Sequence, residues 1–113
     1  MDPMKTVLIR ANGKVKDTDR VVPVSKIRNE NVRWVALDNG GPWKITFDKN
    51  VSSGSPFTKT RYDVPKGGEM ISEGGPIGGA VGRTYSYNVR NVNPADPTQI
   101  IDPPTDDPDI DVE

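Results

Sequence analysis

The side chains able to do chemistry in this chain are carboxylates, amines, guanidinia and hydroxyls, because its 113 residues include neither histidine nor cysteine. That removes the commonest general base, the commonest transition-metal ligand, thiolate nucleophiles and disulfides together. Carboxylates gather at the end of the chain, at Asp102, Asp106, Asp107, Asp109, Asp111 and Glu113. Hard cations prefer such oxygens, so a weak calcium site is one reading of the tail. The spacing lacks the glycine and the bidentate glutamate of an EF-hand loop, and solvated strand residues that discourage edge pairing are the better account. Paired carboxylates can do acid–base work, yet no pair is singled out by its surroundings, and the expectation is a protein that is not an enzyme and holds no cofactor.

A second stretch that invites chemistry is PKGGEMISEGGPIGGAVGR, residues 65–83, with seven glycines. It runs out through Gly82-Arg83-Thr84 in the manner of a phosphate loop. Ile77 stands where the first glycine of that motif is required, the lysine is missing, and a strand pattern follows where a helix should start. The stretch therefore reads as a long loop whose glycines permit positive φ, with at most one helical turn near Glu69–Ser72. A loop this long in a compact domain is either functional or mobile. Tyr62, Lys66, Glu69, Met70 and Ile77, within it or beside it, are the residues expected to touch an unidentified protein partner.

Net charge is near zero but unevenly spread. Residues 1–90 hold all 15 basic side chains against nine acidic ones, whereas residues 91–113 hold seven acidic and no basic ones. An acidic tail folded back on a mildly basic body accounts for this; the alternative is a basic surface for an anionic partner, masked by the tail. The basic residues are scattered singly without interleaved aromatics, so no nucleic-acid partner is expected. No run approaches the roughly 18 apolar residues of a membrane-spanning helix, and no membrane partner is expected. The apolar run Val7-Leu8-Ile9 is too short for a signal-peptide core, which reads as a cytoplasmic protein or the trimmed form of an exported one. Met1-Asp2-Pro3 reads as vector-derived ahead of a native start at Met4. Asn50-Val51-Ser52 fits a glycosylation sequon, a tripeptide common by chance.

The elements that must position these groups are short strands. The stretch NVRWVALDNGGPWKITFD, residues 31–48, has two alternating runs around an Asp-Asn-Gly-Gly-Pro break and reads as a β-hairpin. Trp43, Ile45 and Phe47 share one face there, Lys44, Thr46 and Asp48 the other. Residues 4–11, Val21–Val24, 58–64 and Asp109–Glu113 read as further strands, as does Arg83–Arg90, with Tyr85, Tyr87 and Val89 on one face. Residues 94–108 carry five prolines and read as an extended, acidic connector. One domain over 1–113 follows, all-β, a two-sheet β-sandwich of about seven strands.

The order VVPVSKIRNENVRWVALDNGGPWKITFD, then SPF, GRTYSYNV and DPDIDVE, resembles a cupredoxin-like domain, the sandwich of blue copper proteins, across roughly residues 15–113, and the resemblance implies a Greek-key topology for the two sheets. That family also follows a V-x-W/F-x-N-type strand with a turn, an x-I-x-F strand, a long variable loop, a glycine with a Y-x-Y/F-type strand, and a closing strand. Its copper-binding members carry a histidine after the turn proline, where this chain has Trp43. Their late ligand loop would fall at Arg90–Pro94, which holds no ligand. A blue-copper centre needs two imidazoles and a thiolate, so the resemblance implies the scaffold without the metal. The implied role is an interaction or structural module, the alternative a small-ligand or cation-binding protein using the acidic C-terminal segment or the open end of the sandwich.

Overall fold

The computed structural model describes residues 4–47, 54–93 and 95–113, with only the backbone of Pro97, Thr98, Asp102 and Pro103. Asp48 and the Asn50 sequon lie outside the described residues. Among those described, the chain is all-β, with ten strands and two three-residue 3-10 turns at Asp17–Asp19 and Gly78–Ala80. The strands are β1 Met4–Ile9, β2 Val21–Val24, β3 Asn31–Ala36, β4 Trp43–Thr46 and β5 Arg61–Val64, followed by β6 Glu69–Ile71, β7 Thr84–Ser86, β8 Asn88–Asn93, β9 Asp96–Asp106 and β10 Asp109–Val112. They hydrogen-bond into three sheets ordered β1-β3-β6, β2-β10-β7 and β5-β4-β8-β9. β1 runs parallel to β3, and β2 parallel to β10. This layering is compatible with a β-sandwich, though the strands outnumber the expected seven and the sheets the expected two.

The expected hairpin does not form. Its arms become β3 and β4, which never pair: β3 lies between β1 and β6, and β4 lies between β5 and β8. Asp38, Asn39 and Gly41 all have positive φ across the break, and the chain crosses from one sheet to the other. The alternation that suggested a hairpin holds nevertheless, because Trp43, Ile45 and Phe47 are all buried. A period of two says that a face is covered and is silent about what covers it. Here the arms stack face to face, and the Trp34 and Phe47 rings sit 6.4 Å apart across the core.

Four further expectations are corrected in the same way. Glu69–Ile71 is a strand and not a helical turn, held against Arg33, Trp34 and Val35 of β3. The run 83–90 is broken at Tyr87, whose N–H bonds to Pro108 O at 3.0 Å. Its first half pairs with β10 and its second with β4, while Tyr85, Tyr87 and Val89 all remain buried. The proline-rich connector is chiefly β9, paired with β8 through register shifts; a proline without N–H is tolerated on an edge strand. Of residues 58–64 only Arg61–Val64 is strand, leaving Thr58 and Thr60 exposed. The closing strand is found as expected, with Ile110 and Val112 buried.

Five rings fill the centre. Trp34 contacts Tyr62 at 5.1 Å, Tyr87 at 5.8 Å and Phe57 at 6.5 Å between centroids, and Phe47 lies 5.3 Å from Tyr87. Most of these contacts are edge-on or tilted, the arrangement that aromatic quadrupoles favour.

The tail is clasped to the body at one point. Asp106, its side chain only 6% exposed, takes Arg20 Nη1 at 2.8 and 2.9 Å and the Val15 N–H at 2.9 Å. Beside it the Thr105 hydroxyl reaches Gly13 O and Val89 O, each at 2.9 Å. Asp109 and Asp111 accept hydrogen bonds from the hydroxyls of Ser86 and Thr84 and form no ion pair among the described residues. The folded-back acidic tail is thus present through Asp106 and Asp107, the latter 3.6 Å from Arg20 Nη2.

Burial alone would raise the Asp106 carboxyl, but the hydrogen bonds from Arg20, Val15 and Asp107 and the Arg20 charge outweigh it and hold it below the usual range. Two outcomes follow. Trp34→Ala should cost about 3–5 kcal/mol in urea unfolding, with Trp34→Phe well below that. Asp106→Asn should cost about 1–3 kcal/mol at neutral pH. Because the native pKa is depressed, the Asp106 contribution is complete above the ordinary carboxylate value of about 4 and fades as pH falls through the native one. The stability gap between wild type and Asp106→Asn should therefore shrink from pH 4 down to pH 2; a gap that stays constant would refute the clasp.

Candidate functional site

β5 stops at Val64 because Pro65 follows, and proline cannot continue a ladder through its missing N–H. The chain then reverses over Pro65–Gly68, closed by Gly68 N–H on Pro65 O at 2.9 Å. Gly67 occupies φ 63 and donates to Gly40 O at 2.9 Å. A side chain there would meet Asn39 Oδ1 at 2.8 Å from its first carbon, so the turn needs glycine. β6 then returns along β3. Since β5 and β6 are edge strands of different sheets, this turn bridges the end of the layered body.

Under the bridge lies a recess of about 490 Å³ lined by Pro42, Trp43, Asp63, Val64, Pro65, Glu69, Met70 and Val92. Trp43 opens β4 and so stands at a sheet end, its ring 4% exposed and its Nε1 without a hydrogen-bond partner among the described residues. The walls are apolar and the rim carries two ion pairs. Asp63 meets Lys44 at 2.5 Å, with the carboxylate 77% and the lysine 12% exposed. Glu69 meets Arg33 at 3.5 Å, with exposures of 52% and 39%. In both pairs the carboxylate is the outward member.

The five residues expected to touch a partner do not form one surface. Glu69 and Met70 line the recess, and Lys66 is exposed on the bridging turn beside it. Ile77 is exposed at the other end of β6, beyond Ser72 and Gly74, which bond to Asn31. Tyr62 is 1% exposed and its hydroxyl donates to Ser72 O at 3.0 Å, so its ring presents no surface. Pro42, Trp43, Val64 and Val92 also line the recess and are not singled out by the sequence, because Pro42 belongs to the turn break, Val92 lies beyond the alternating 83–90 run, and alternation marks Trp43 only as part of a covered face. The clue was Trp43 following directly on the Gly-Pro break, which puts a large ring at a strand end.

The chain matches no protein-family model, no curated protein and no solved structure. The chemistry of the recess therefore rests on its own residues. They offer apolar contact and an ion-paired rim. No three Asp or Glu side chains come together in metal-holding geometry among the described residues. A smaller, polar hollow of about 290 Å³ lies beside the tail at Arg83, Thr84, Asp111 and Glu113.

The burial of Tyr62 has a consequence at alkaline pH. Desolvation pushes its hydroxyl up to about 12, against a lowering by the Lys59 backbone, and burial raises Tyr87 as well. A raised native pKa gives stability that is whole below the unfolded value of about 10. It is lost as pH climbs toward about 12. Wild type should lose stability steeply across that window, and Tyr62→Phe, lower by about 1 kcal/mol at pH 7 for the lost bond to Ser72, should lose it more gently. Equal slopes in urea unfolding would contradict the assignment.

Proposed function

We propose that this protein is a non-catalytic binding module on a metal-free, cupredoxin-like Greek-key sandwich, and that the recess at Trp43 receives apolar side chains of a protein partner. The strand order supports the scaffold reading. β3 and β6 share one sheet while β4 and β5, between them in sequence, lie in another, so the chain crosses over between layers and returns, as Greek-key connections do. The closing strand β10 lies beside β2, and β8 beside β4. Trp43 takes the position at which copper-binding relatives of the scaffold would place a histidine.

The observation that carries the binding role is the recess itself. Two proline rings, two valines, a methionine and an indole converge on it, while its carboxylates are each matched by a cation of the same chain. Such a surface gains from desolvating an apolar group. Asp63 and Glu69 are the lining groups able to move a proton, and each is held in an ion pair at the rim, with Lys44 and Arg33. The tail carboxylates are a poorer cation site, because Asp106, Asp109 and Asp111 are engaged by Arg20, Ser86 and Thr84. A small neutral ligand is the second reading, favoured by a volume inside the range of small-molecule sites.

The test is an isotope-labelled titration with short peptides bearing proline, leucine or methionine and, separately, with free indole. Binding should move the Trp43 indole and the Val64, Met70 and Val92 methyl resonances, and Val92→Glu should abolish those shifts. Tight binding of indole with none of the peptides would favour the small-ligand reading. Shifts that cluster elsewhere, or none near the solubility limit of both probes, would remove the recess as the binding site.

A further inference from the structure

The end of the molecule opposite the recess carries a shape that matches it. Ser25–Glu30 forms a tight turn whose tip is Ile27, 96% exposed and flanked by Lys26 and Arg28. A lone exposed isoleucine is ordinary; the way this one is held is less so. Glu30, buried at 5%, returns a carboxylate oxygen to Ser25 N–H at 2.7 Å. Ser25 Oγ accepts the Arg28 N–H at 3.2 Å, and Lys26 O accepts the Asn29 N–H at 3.0 Å. Lys26 N–H is tied to Glu113 O at 2.9 Å. The turn therefore presents Ile27 on a stapled loop, which loses little conformational freedom on binding. Neither Lys26 nor Arg28 has an ion-pair partner among the described residues.

The recess has the complementary features: apolar walls and two carboxylates, Asp63 and Glu69, that are the outward members of their pairs. The two features lie at opposite ends of β3. The turn leads directly into Asn31, whereas Glu69 and Met70 sit beside Val35 and Trp34. A molecule cannot close its own turn into its own recess across that distance, but a neighbour can.

Resting on the binding reading above, we propose that the recess takes the Ile27 turn of a second copy of this chain, so that molecules associate head to tail. Ile27 enters among Trp43, Val64, Met70 and Val92, while Lys26 and Arg28 of the incoming turn meet Asp63 and Glu69. Because the two faces differ, the contact is heterologous and does not close at two molecules. The patch is small, which places the association among weak, concentration-dependent ones.

Sedimentation velocity and small-angle scattering over a wide concentration range test it. Mean size should grow steadily with concentration, and added salt should weaken the growth by screening the rim charges. Ile27→Asp changes only an exposed side chain, so it should fold normally while weakening association at least about tenfold. Mixing Ile27→Asp, which keeps a working recess, with Val92→Glu, which keeps a working turn, should give pairs that grow no further. A chain monomeric throughout, a dimer that stops at two, or growth unaffected by Ile27→Asp would overturn the proposal. Peptide-induced shifts at Trp43 that persist in such a result would leave the binding reading standing, and their absence would remove both.

Discussion

The packing of Trp34 against the opposite layer is the constraint on which the rest of this fold depends. The ring projects from β3, the middle strand of its sheet, onto Phe47 and Tyr62 of the facing one. Both arms of the 31–48 stretch need the same burial. Side by side in one sheet, they would both present that face to a partner the chain then has to find elsewhere. Stacked in facing sheets, each arm is the other's cover. Burying several aromatic rings at once is the largest apolar gain available to a chain with only 33% hydrophobic residues. That gain decides against the hairpin that local turn chemistry favours.

Once β3 and β4 are separated, much of the topology follows. Each has two free edges, which β1 and β6 fill on one side and β5 and β8 on the other. Tyr87 must reach the same aromatic centre, and the run 83–90 bends there so that its halves serve different sheets. Ser72 ties the layers at the Asn31 end of β3, its hydroxyl taking the Val32 N–H at 3.0 Å and its carbonyl the Tyr62 hydroxyl. Asp106 and Thr105 tie the late strands to residues 13–20. These polar groups are satisfied where they are covered, which is the condition for tolerating them there.

How much of this was legible in the sequence depends on what each residue pattern can encode. Alternation identified the buried face of Trp43, Ile45 and Phe47 and the buried run Tyr85, Tyr87 and Val89, because burial is a property of a strand's own side chains. Pairing is a property of two strands and leaves no mark on one. Hence the hairpin, the unbroken 83–90 strand and the proline-rich connector were misread together. The glycine content of residues 65–83 concealed Glu69-Met70-Ile71, three residues with too few alternations to register as a strand. Glu69 and Met70 stand out as site residues because they lie in the glycine-rich stretch that reads as a long loop. A ring at a strand end can be buried and still wall a recess, as Trp43 does, and its place on an alternating face does not show the second role.

The edges of the sheets explain why contact with other molecules should be sought at the ends. β2 contains Pro23, and β9 contains Pro97, Pro103 and Pro104, each removing a donor from an edge. β5, β6 and β7 have four, three and three residues. The C-terminal half of β1 is capped, with Leu8 N–H held by Asp19 at 2.9 Å and Leu8 O by Lys16 N–H at 3.0 Å. Edges this short or this poor in donors resist strand addition. The turns that join the sheets face no such restriction, and they carry both the apolar recess and the stapled isoleucine. Blunted sides leave the two ends, which differ in shape and charge, as the surfaces least guarded against contact.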